Sequence, residues 1–290
     1  SHGLDTQFLS SFFHWLTQTD SESDPEISAT ISETLLSAFE YLADYCQEHK
    51  DERGEYGLPP QFGYEVVQKL AFQCARASDD QASRIYHAVL GLGPAADHII
   101  DQFMGTWFIQ LHKPLDTEVF CSRWKSMIKF GIDGQWAEGG SWYDEQNLLR
   151  KLLGFEYSTS LQSIPNWGVK LANMSELYET WASANLRKDE KNVSSFAYFL
   201  RSEAGEALRI DGLKWLATSL TGVEKDQYWG DSRDTGATLV DLIDKALRDQ
   251  KTTFQTDSDA RLALLKLTAL LVSKQIPSAL ALQQKISTLR

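Results

Sequence analysis

The sequence feature that most constrains the fold is a pair of apolar helical faces in residues 92–131, separated by a proline. Apolar side chains recur there at steps of three and four residues, which places them on one side of a 3.6-residue helix. Pro114 ends the first helix because proline has no backbone N–H, and Gly131 closes the second. Helices that are each apolar on one side need further helices to pack against. The first face contains Ile99, Ile100, Phe103, Met104, Trp107, Phe108 and Leu111, and the second contains Val119, Phe120, Trp124, Met127 and Ile128.

Helical periodicity continues through most of the chain, and no segment keeps the two-residue alternation of a β-strand. The sequence therefore predicts an all-α fold of about a dozen helices. Helix pairs recur at intervals of roughly 40 residues, the spacing of HEAT-like arrays, although no consensus motif repeats in register. This pattern favours an irregular α-solenoid of stacked helical hairpins, HEAT-like but degenerate, over a closed bundle or an α/α toroid.

The chain divides by composition into three segments, although we expect them to form one continuous helical domain. Residues 1–131 are predicted to form an N-terminal array of helical hairpins. Residues 132–174 hold a loop rich in Trp and Gly followed by a short helix, and residues 175–290 form a C-terminal helical array. The opening Ser1-His2 resembles a remnant of tag removal, so we expect the chain to be a fragment of a larger protein.

The C-terminal half gives several local expectations. Residues 155–170 carry mixed signals and are predicted to hold a short extended piece. Gly205 is expected to break a helix, and Pro277 to begin the last one. Residues 257–274 are apolar almost all round, which predicts the most buried helix of the chain, with Leu265 on its buried side.

Composition limits what the chain can bind and where it can function. The net charge of −12 and the pI near 5.0 oppose the positive field that phosphate backbones require, so binding to nucleic acid is not expected. No stretch approaches 18 uncharged apolar residues, and the start lacks a signal peptide, so neither membrane insertion nor secretion is indicated. Cys46, Cys74 and Cys121 lie far apart with no C-x-x-C spacing. They indicate reduced core residues of a cytoplasmic protein.

The sequence contains no recognised catalytic or ligand-binding motif. A P-loop is absent, the histidines are scattered, and H-E-x-x-H does not occur. A partial EF-hand pattern fails because Arg233 and Leu242 stand where oxygen ligands are required. Ser141 follows two glycines like the serine of a nucleophile elbow, but the final glycine is missing. We therefore expect no metal or cofactor.

The loop between Asp133 and Glu145 is the sequence's only candidate site. It combines large aromatic rings with carboxylates and glycines, at Asp133, Trp136, Glu138, Trp142 and Tyr143. The rings either fold back over neighbouring helix ends or form a surface that binds a partner. A third interpretation is a sugar site, in which rings stack on the sugar and paired acids cleave the glycosidic bond.

Two stretches carry a resemblance to a known family. LPPQFGYEVVQKLA at residues 58–71 and LGPAADHIIDQFMGTWFIQL at residues 92–111 resemble the helical C-terminal regions of large bacterial STAND-type NTPases of antiviral defence. The resemblance extends over residues 58–111, including the helix between the two stretches, and it includes no catalytic motif. It implies a sensor or oligomerisation module whose NTPase and effector domains lie elsewhere.

Together these features predict a non-catalytic helical-repeat module that binds a protein partner or another domain of its own chain. The alternative is an α/α-helical enzyme that acts on carbohydrate through the Trp-rich loop. A ring of inner helices with two carboxylates facing one cavity would favour the enzyme. An open stack with its acids in solvent would favour the interaction module.

Overall fold

The structure is a computed structural model that describes residues 25–48, 79–91, 153–221 and 233–289, with six isolated positions at 11, 118, 121, 122, 125 and 150. Within these residues every regular element is an α-helix or a 3₁₀ turn, and no strand occurs. This confirms the all-α prediction. The apolar pair at 92–131 lies almost wholly outside the described residues, so its prediction stays open. Contacts divide the chain into two compact units, residues 1–152 with 163–165, and residues 153–162 with 166–290.

The described part of the first unit is a pair of packed helices, α1 (Pro25–Glu48) and α2 (Asp79–Gly91). Pro25 suits the first helical position because its missing N–H would have no partner there. Both helices contribute buried apolar side chains, which are Leu35, Leu36, Phe39, Leu42 and Ala43 of α1 and Ala82, Ile85 and Ala88 of α2.

A bidentate ion pair joins α1 and α2. Both Arg84 Nε and Nη2 lie 2.8 Å from the carboxylate oxygens of Glu40, and Nη1 lies 2.8 Å from Glu33. The hydrogen bond from Arg84 lowers the pKa of Glu40, and the bond to Glu40 raises the pKa of Arg84. Arginine's planar fork matches a carboxylate in this way, which fixes the register between the two helices.

The second unit contains nine α-helices and one 3₁₀ turn among its described residues. In chain order they are α3 (Ser158–Gln162), α4 (Trp167–Ala172), α5 (Ser175–Asn185), α6 (Glu190–Arg201), a 3₁₀ turn (Glu206–Leu208), α7 (Arg209–Leu220), α8 (Arg233–Asp249), α9 (Lys251–Thr256), α10 (Ser258–Ser273) and α11 (Ala279–Ser287).

The expectation of an extended piece in residues 155–170 is wrong, because this segment forms the short helices α3 and α4. Gly154 reverses the chain with a φ of 78°, a conformation that glycine adopts without strain. Phe155 then enters a cluster of aromatic rings, and Trp167 donates its indole N–H to the carbonyl of Ala204 at 2.8 Å. These tertiary contacts hold the segment against the rest of the unit, although its own sequence has weak helical periodicity.

Phe155 lies at the centre of the aromatic cluster. Its ring centroid is 4.9 Å from that of Trp181, 5.2 Å from Phe199 and 5.5 Å from Phe196. The hydroxyl of Tyr178 donates to the carbonyl of Leu153 at 2.8 Å, so the buried phenol keeps a partner. Tilted and edge-to-face rings are favourable arrangements for such a core.

In the second unit, helices pack on neighbours that are distant in sequence as well as on the next helix in the chain. Helix α6 packs on α8, α7 packs on both α5 and α10, and α10 packs on α11. Two contacts give the direction of the α6–α8 pair: Ser194 meets Thr235 near both N-termini, and Arg201 meets Asp241 further along each helix. From the first contact to the second, the residue number rises by seven on α6 and by six on α8. The two helices therefore run parallel.

The expected break at Gly205 is confirmed, since α6 ends at Arg201 and a turn precedes α7. A Cβ at Gly205 would collide with the carbonyl oxygen of Phe199 and approach the Cα of Leu200 to 2.8 Å. The turn therefore folds back so closely on α6 that only glycine fits.

The expectation for α10 is partly wrong. The helix forms, but its buried side consists of Ala260, Ala263, Leu264, Leu267, Thr268 and Leu271. Leu262 is 49% exposed, and Leu265 is only half-buried. The last helix also begins two residues later than expected, at Ala279, after Ser278 adopts a φ of 67°.

Candidate interaction surface

The sequence-predicted site lies outside the described residues. Asp133, Trp136, Glu138, Trp142 and Tyr143 all fall there, so both the interaction loop and the carbohydrate site stay predictions. In the part of the chain that the structure describes, no group of three or more His, Cys, Asp or Glu side chains is placed to hold a metal ion. None of the described helices combines the length and hydrophobicity needed to cross a bilayer.

A row of linked charged side chains crosses three helices of the second unit. Arg201 of α6 lies 2.6 Å from the carboxylate of Asp241 on α8. One helical turn further along α8, Asp244 lies 3.2 Å from Lys285 of α11. Residues three apart on a helix are surface neighbours, so the two acids join these contacts into one row. We call Arg201, Asp241, Asp244 and Lys285 the ladder.

Tyr198 adds an aromatic ring to one end of the ladder. Its side chain is 53% exposed, and the guanidinium carbon of Arg201 lies 5.3 Å from the ring centroid. A cation over a ring face is attracted by the ring's quadrupole. Arg201 is therefore held from two sides, by the ring and by Asp241, although its own side chain is 36% exposed.

The helix periodicity of α6 explains why Tyr198 faces outward. Phe196, Ala197, Phe199 and Leu200 are fully buried, while Tyr198 lies between them in sequence and is exposed. Asp189 begins the helix and accepts a hydrogen bond from the N–H of Lys191 at 2.9 Å, as a good N-cap does. With the start of α6 fixed and its apolar face buried, Tyr198 and Arg201 share the remaining face.

Further ion pairs surround the acids of α8. Arg248 lies 3.1 Å from Asp244, and Lys245 lies 2.9 Å from Asp249. The hydrogen bond from Lys245 is the main reason that the pKa of Asp249 lies below its ordinary value. Both pairs span four residues of one helix, which is a favourable separation for opposite charges.

A second set of contacts joins α7 to the start of α10. Lys214 lies 2.9 Å from Asp257, which also accepts hydrogen bonds from the N–H groups of Asp259 and Ala260 at 2.9 Å each. The bond to Asp257 raises the pKa of Lys214. The pKa of Asp257 is lowered first by the N–H of Ala260 and then by Lys214. Asp257 thus caps α10 and ties it to α7.

The exposed Tyr198 and the ladder were missed by the sequence reasoning. The spacing of Phe196, Phe199 and Leu200 was a usable signal, because a residue between them must face away from the core. The partners Asp241 and Lys285 carried no such signal, since their position opposite Arg201 and Asp244 depends on how the helices stack.

No protein-family model, curated protein or solved structure matches this chain.

Proposed function

We propose that the second unit is a degenerate, HEAT-like stack of helical hairpins and that it serves as a non-catalytic module for binding protein. The ladder, with Tyr198 at its end, is the contact surface in this proposal. The partner is another protein or another domain of the same chain, in the cytoplasm.

The observation that carries the proposal is the narrow range of sequence separation, 40 to 43 residues, of the polar contacts between two side chains on different helices of the second unit. In a helical stack, equivalent turns of successive repeats lie side by side, so lateral contacts join residues about one repeat apart. The side-chain pairs of the second unit include Ser194–Thr235, Arg201–Asp241, Arg209–Asp249, Lys214–Asp257 and Asp244–Lys285, separated by 41, 40, 40, 43 and 41 residues. Glu40 and Arg84 of the first unit are 44 residues apart.

The helix partners support the same interpretation. If α6 and α7 form one hairpin and α8 and α10 the next, the first helices of the two hairpins are α6 and α8, and the second helices are α7 and α10. Those are the pairs that pack on each other, and α6 and α8 run parallel, as equivalent helices of a solenoid do.

The residue types of the ladder support binding to protein. Tyrosine and arginine are enriched among the residues that dominate binding energy at protein interfaces. Arg201 is already held by Tyr198 and Asp241, so it loses less side-chain freedom when a partner docks. Mixed charges along the row favour a partner that presents both signs in a complementary order.

The resemblance described above suggests the larger protein in which such a module would act. In that setting the stack is a sensor or oligomerisation module of a bacterial antiviral STAND-type NTPase, and the partner surface belongs to another domain or to a bound protein. The support for this extension is the resemblance of residues 58–71 and 92–111, which belong to the first unit and lie outside the described residues.

The test uses the protein as bait in cross-linking pull-downs from lysate of its source, followed by titration of the captured protein. Wild type is compared with Tyr198→Ala and with Leu262→Ala, which removes an equally exposed apolar side chain from α10. Loss of a dominant interface residue costs about 2 kcal/mol or more, so we expect Tyr198→Ala to weaken binding by roughly thirtyfold. Leu262→Ala should bind as wild type does.

Equal binding by all three proteins would contradict the assignment of the ladder as the contact surface. If the wild-type bait captures no protein at all, the binding function itself is contradicted. Circular dichroism on each variant checks that the helices remain intact.

A further inference from the structure

A buried arginine links the ends of three helices in the second unit. Arg209 is the first residue of α7, and its side chain is 1% exposed. Its Nε donates to the carbonyl of Leu200 at 2.8 Å, and its Nη2 donates to the carbonyl of Ser202 at 3.1 Å. Its Nη1 lies 3.3 Å from the carboxylate of Asp249, the last residue of α8. One side chain therefore touches the C-terminal ends of both α6 and α8.

The charge of Arg209 is compensated by groups from different elements. The carbonyls at the end of α6 carry partial negative charge, because they have no intrahelical partner. Asp249 supplies a full charge from α8, and the charge of Glu206 in the 3₁₀ turn also attracts the guanidinium. Removing one of these groups leaves a cation under-compensated in the interior, which is strongly unfavourable.

An exposed pair at the same spacing provides the contrast. Arg201 of α6 and Asp241 of α8 are likewise 40 residues apart, but their side chains are 36% and 59% exposed. Water solvates both charges when such a pair separates, so its loss changes little. The two arginines thus connect the same pair of helices in opposite environments.

We propose that Arg209 is a coupling device that makes the C-terminal ends of α6 and α8 open together. If the end of α8 moves away, the buried guanidinium of Arg209 loses the carboxylate of Asp249. If the end of α6 unwinds, the same guanidinium loses two carbonyl acceptors, those of Leu200 and Ser202. This inference goes beyond the proposed binding function, because it concerns conformational cooperativity within the stack and holds whatever the module binds.

The test is hydrogen exchange of the backbone amides in wild type, Asp249→Asn and Arg201→Met. Asp249→Asn changes a residue of α8 only, and its amide keeps the shape of the carboxylate. We expect exchange to accelerate by about tenfold or more at the last turn of α8 and also at the last turn of α6. The amides of α5 should be unaffected, and Arg201→Met should change either end by less than about threefold.

Three results would overturn the proposal. Faster exchange confined to α8 would mean that Asp249 acts locally and that the two ends open independently. A similar acceleration in α5 would mean general destabilisation in place of coupling. An equal effect of Arg201→Met would mean that burial of Arg209 has no special consequence. Arg209→Met serves as a second variant where it folds, and it should accelerate exchange at the same two ends.

Discussion

Lys214 of α7 and Asp257, the residue that caps α10, lie 2.9 Å apart. Asp257 also accepts the N–H groups of Asp259 and Ala260, so one carboxylate begins α10 and attaches it to α7. This double role follows from position: an N-cap residue must stand at the helix start, and α10 starts beside α7.

The first prediction concerns the pH dependence of this contact. The pKa of Asp257 lies below its ordinary value of 3.8, so the carboxylate stabilises the fold above that pH. The stabilisation is lost as the pH falls through the lowered pKa. Asp257→Asn keeps a capping oxygen but has no charge, so its urea midpoint should fall below that of wild type at pH 7 and approach it as the pH falls further below 3.8.

The control is Glu203→Gln, which removes an exposed carboxylate from the turn after α6 and should leave the urea midpoint at pH 7 close to that of wild type. A constant difference between wild type and Asp257→Asn across the whole pH range would show that the charge of Asp257 has no part in stability.

The second prediction concerns the two sides of α10. Leu264 is fully buried and Leu262 is half exposed, although they stand two residues apart. Leu264→Ala should lower the free energy of unfolding by about 2 to 5 kcal/mol, because it leaves a cavity. Leu262→Ala should change it by less than about 0.5 kcal/mol. Urea denaturation measures both, and similar losses in the two variants would mean that the buried side of α10 is wrongly assigned.

The third prediction compares two glycines. Gly205→Ala should destabilise the protein by about 1 to 3 kcal/mol, because its Cβ would meet the backbone of α6. Gly168 is exposed within α4, and a Cβ there would have Ala207 Cβ at 4.0 Å as its nearest neighbour. Gly168→Ala should stabilise by up to about 1 kcal/mol, since alanine favours the helix. Thermal unfolding distinguishes the signs, and a stabilising Gly205→Ala would contradict the close turn.

The fourth prediction concerns the Trp-rich loop, which rests on sequence alone. If the loop binds a partner, Trp136→Ala or Trp142→Ala should leave the free energy of unfolding within about 0.5 kcal/mol while association weakens. Denaturation curves and pull-downs on each variant measure these two effects. Strong destabilisation by both variants, with every partner retained, would show that both rings pack inward.

The sequence predicted helices well where one face is apolar and the other polar. Phe196, Phe199 and Leu200 follow that rule, and they line the buried side of α6. The rule fails in α10, because leucines on every side remove the contrast that separates Leu262 from Leu264. Stability there depends on which neighbours cover the helix, and that information lies in the packing of α7 and α11.

The linked side chains of the candidate surface could not be predicted for a similar reason. Arg201, Asp241 and Lys285 are ordinary charges in sequence, and charges that alternate along a helix usually indicate a solvated face. They become partners only when α6, α8 and α11 are stacked in one register. Arg209 gave no sign of burial either, because its acceptors are backbone carbonyls, which every residue possesses.

The most direct test of the account is a cross-link between α6 and α8, since the stack depends on their parallel packing. Ser194 Oγ and Thr235 Oγ1 lie 2.5 Å apart, within reach of a disulfide between cysteines at those positions. With Cys46, Cys74 and Cys121 first replaced by serine, Ser194→Cys/Thr235→Cys should cross-link on mild oxidation.

The matched control is Ser194→Cys/Arg248→Cys. In parallel helices Arg248 lies about 20 Å further along α8 than Thr235, at 1.5 Å per residue. Mass spectrometry after thiol blocking should find the first pair largely joined and the control pair free. A joined control pair with a free Ser194→Cys/Thr235→Cys pair would mean that α6 and α8 run antiparallel, and it would contradict the stack.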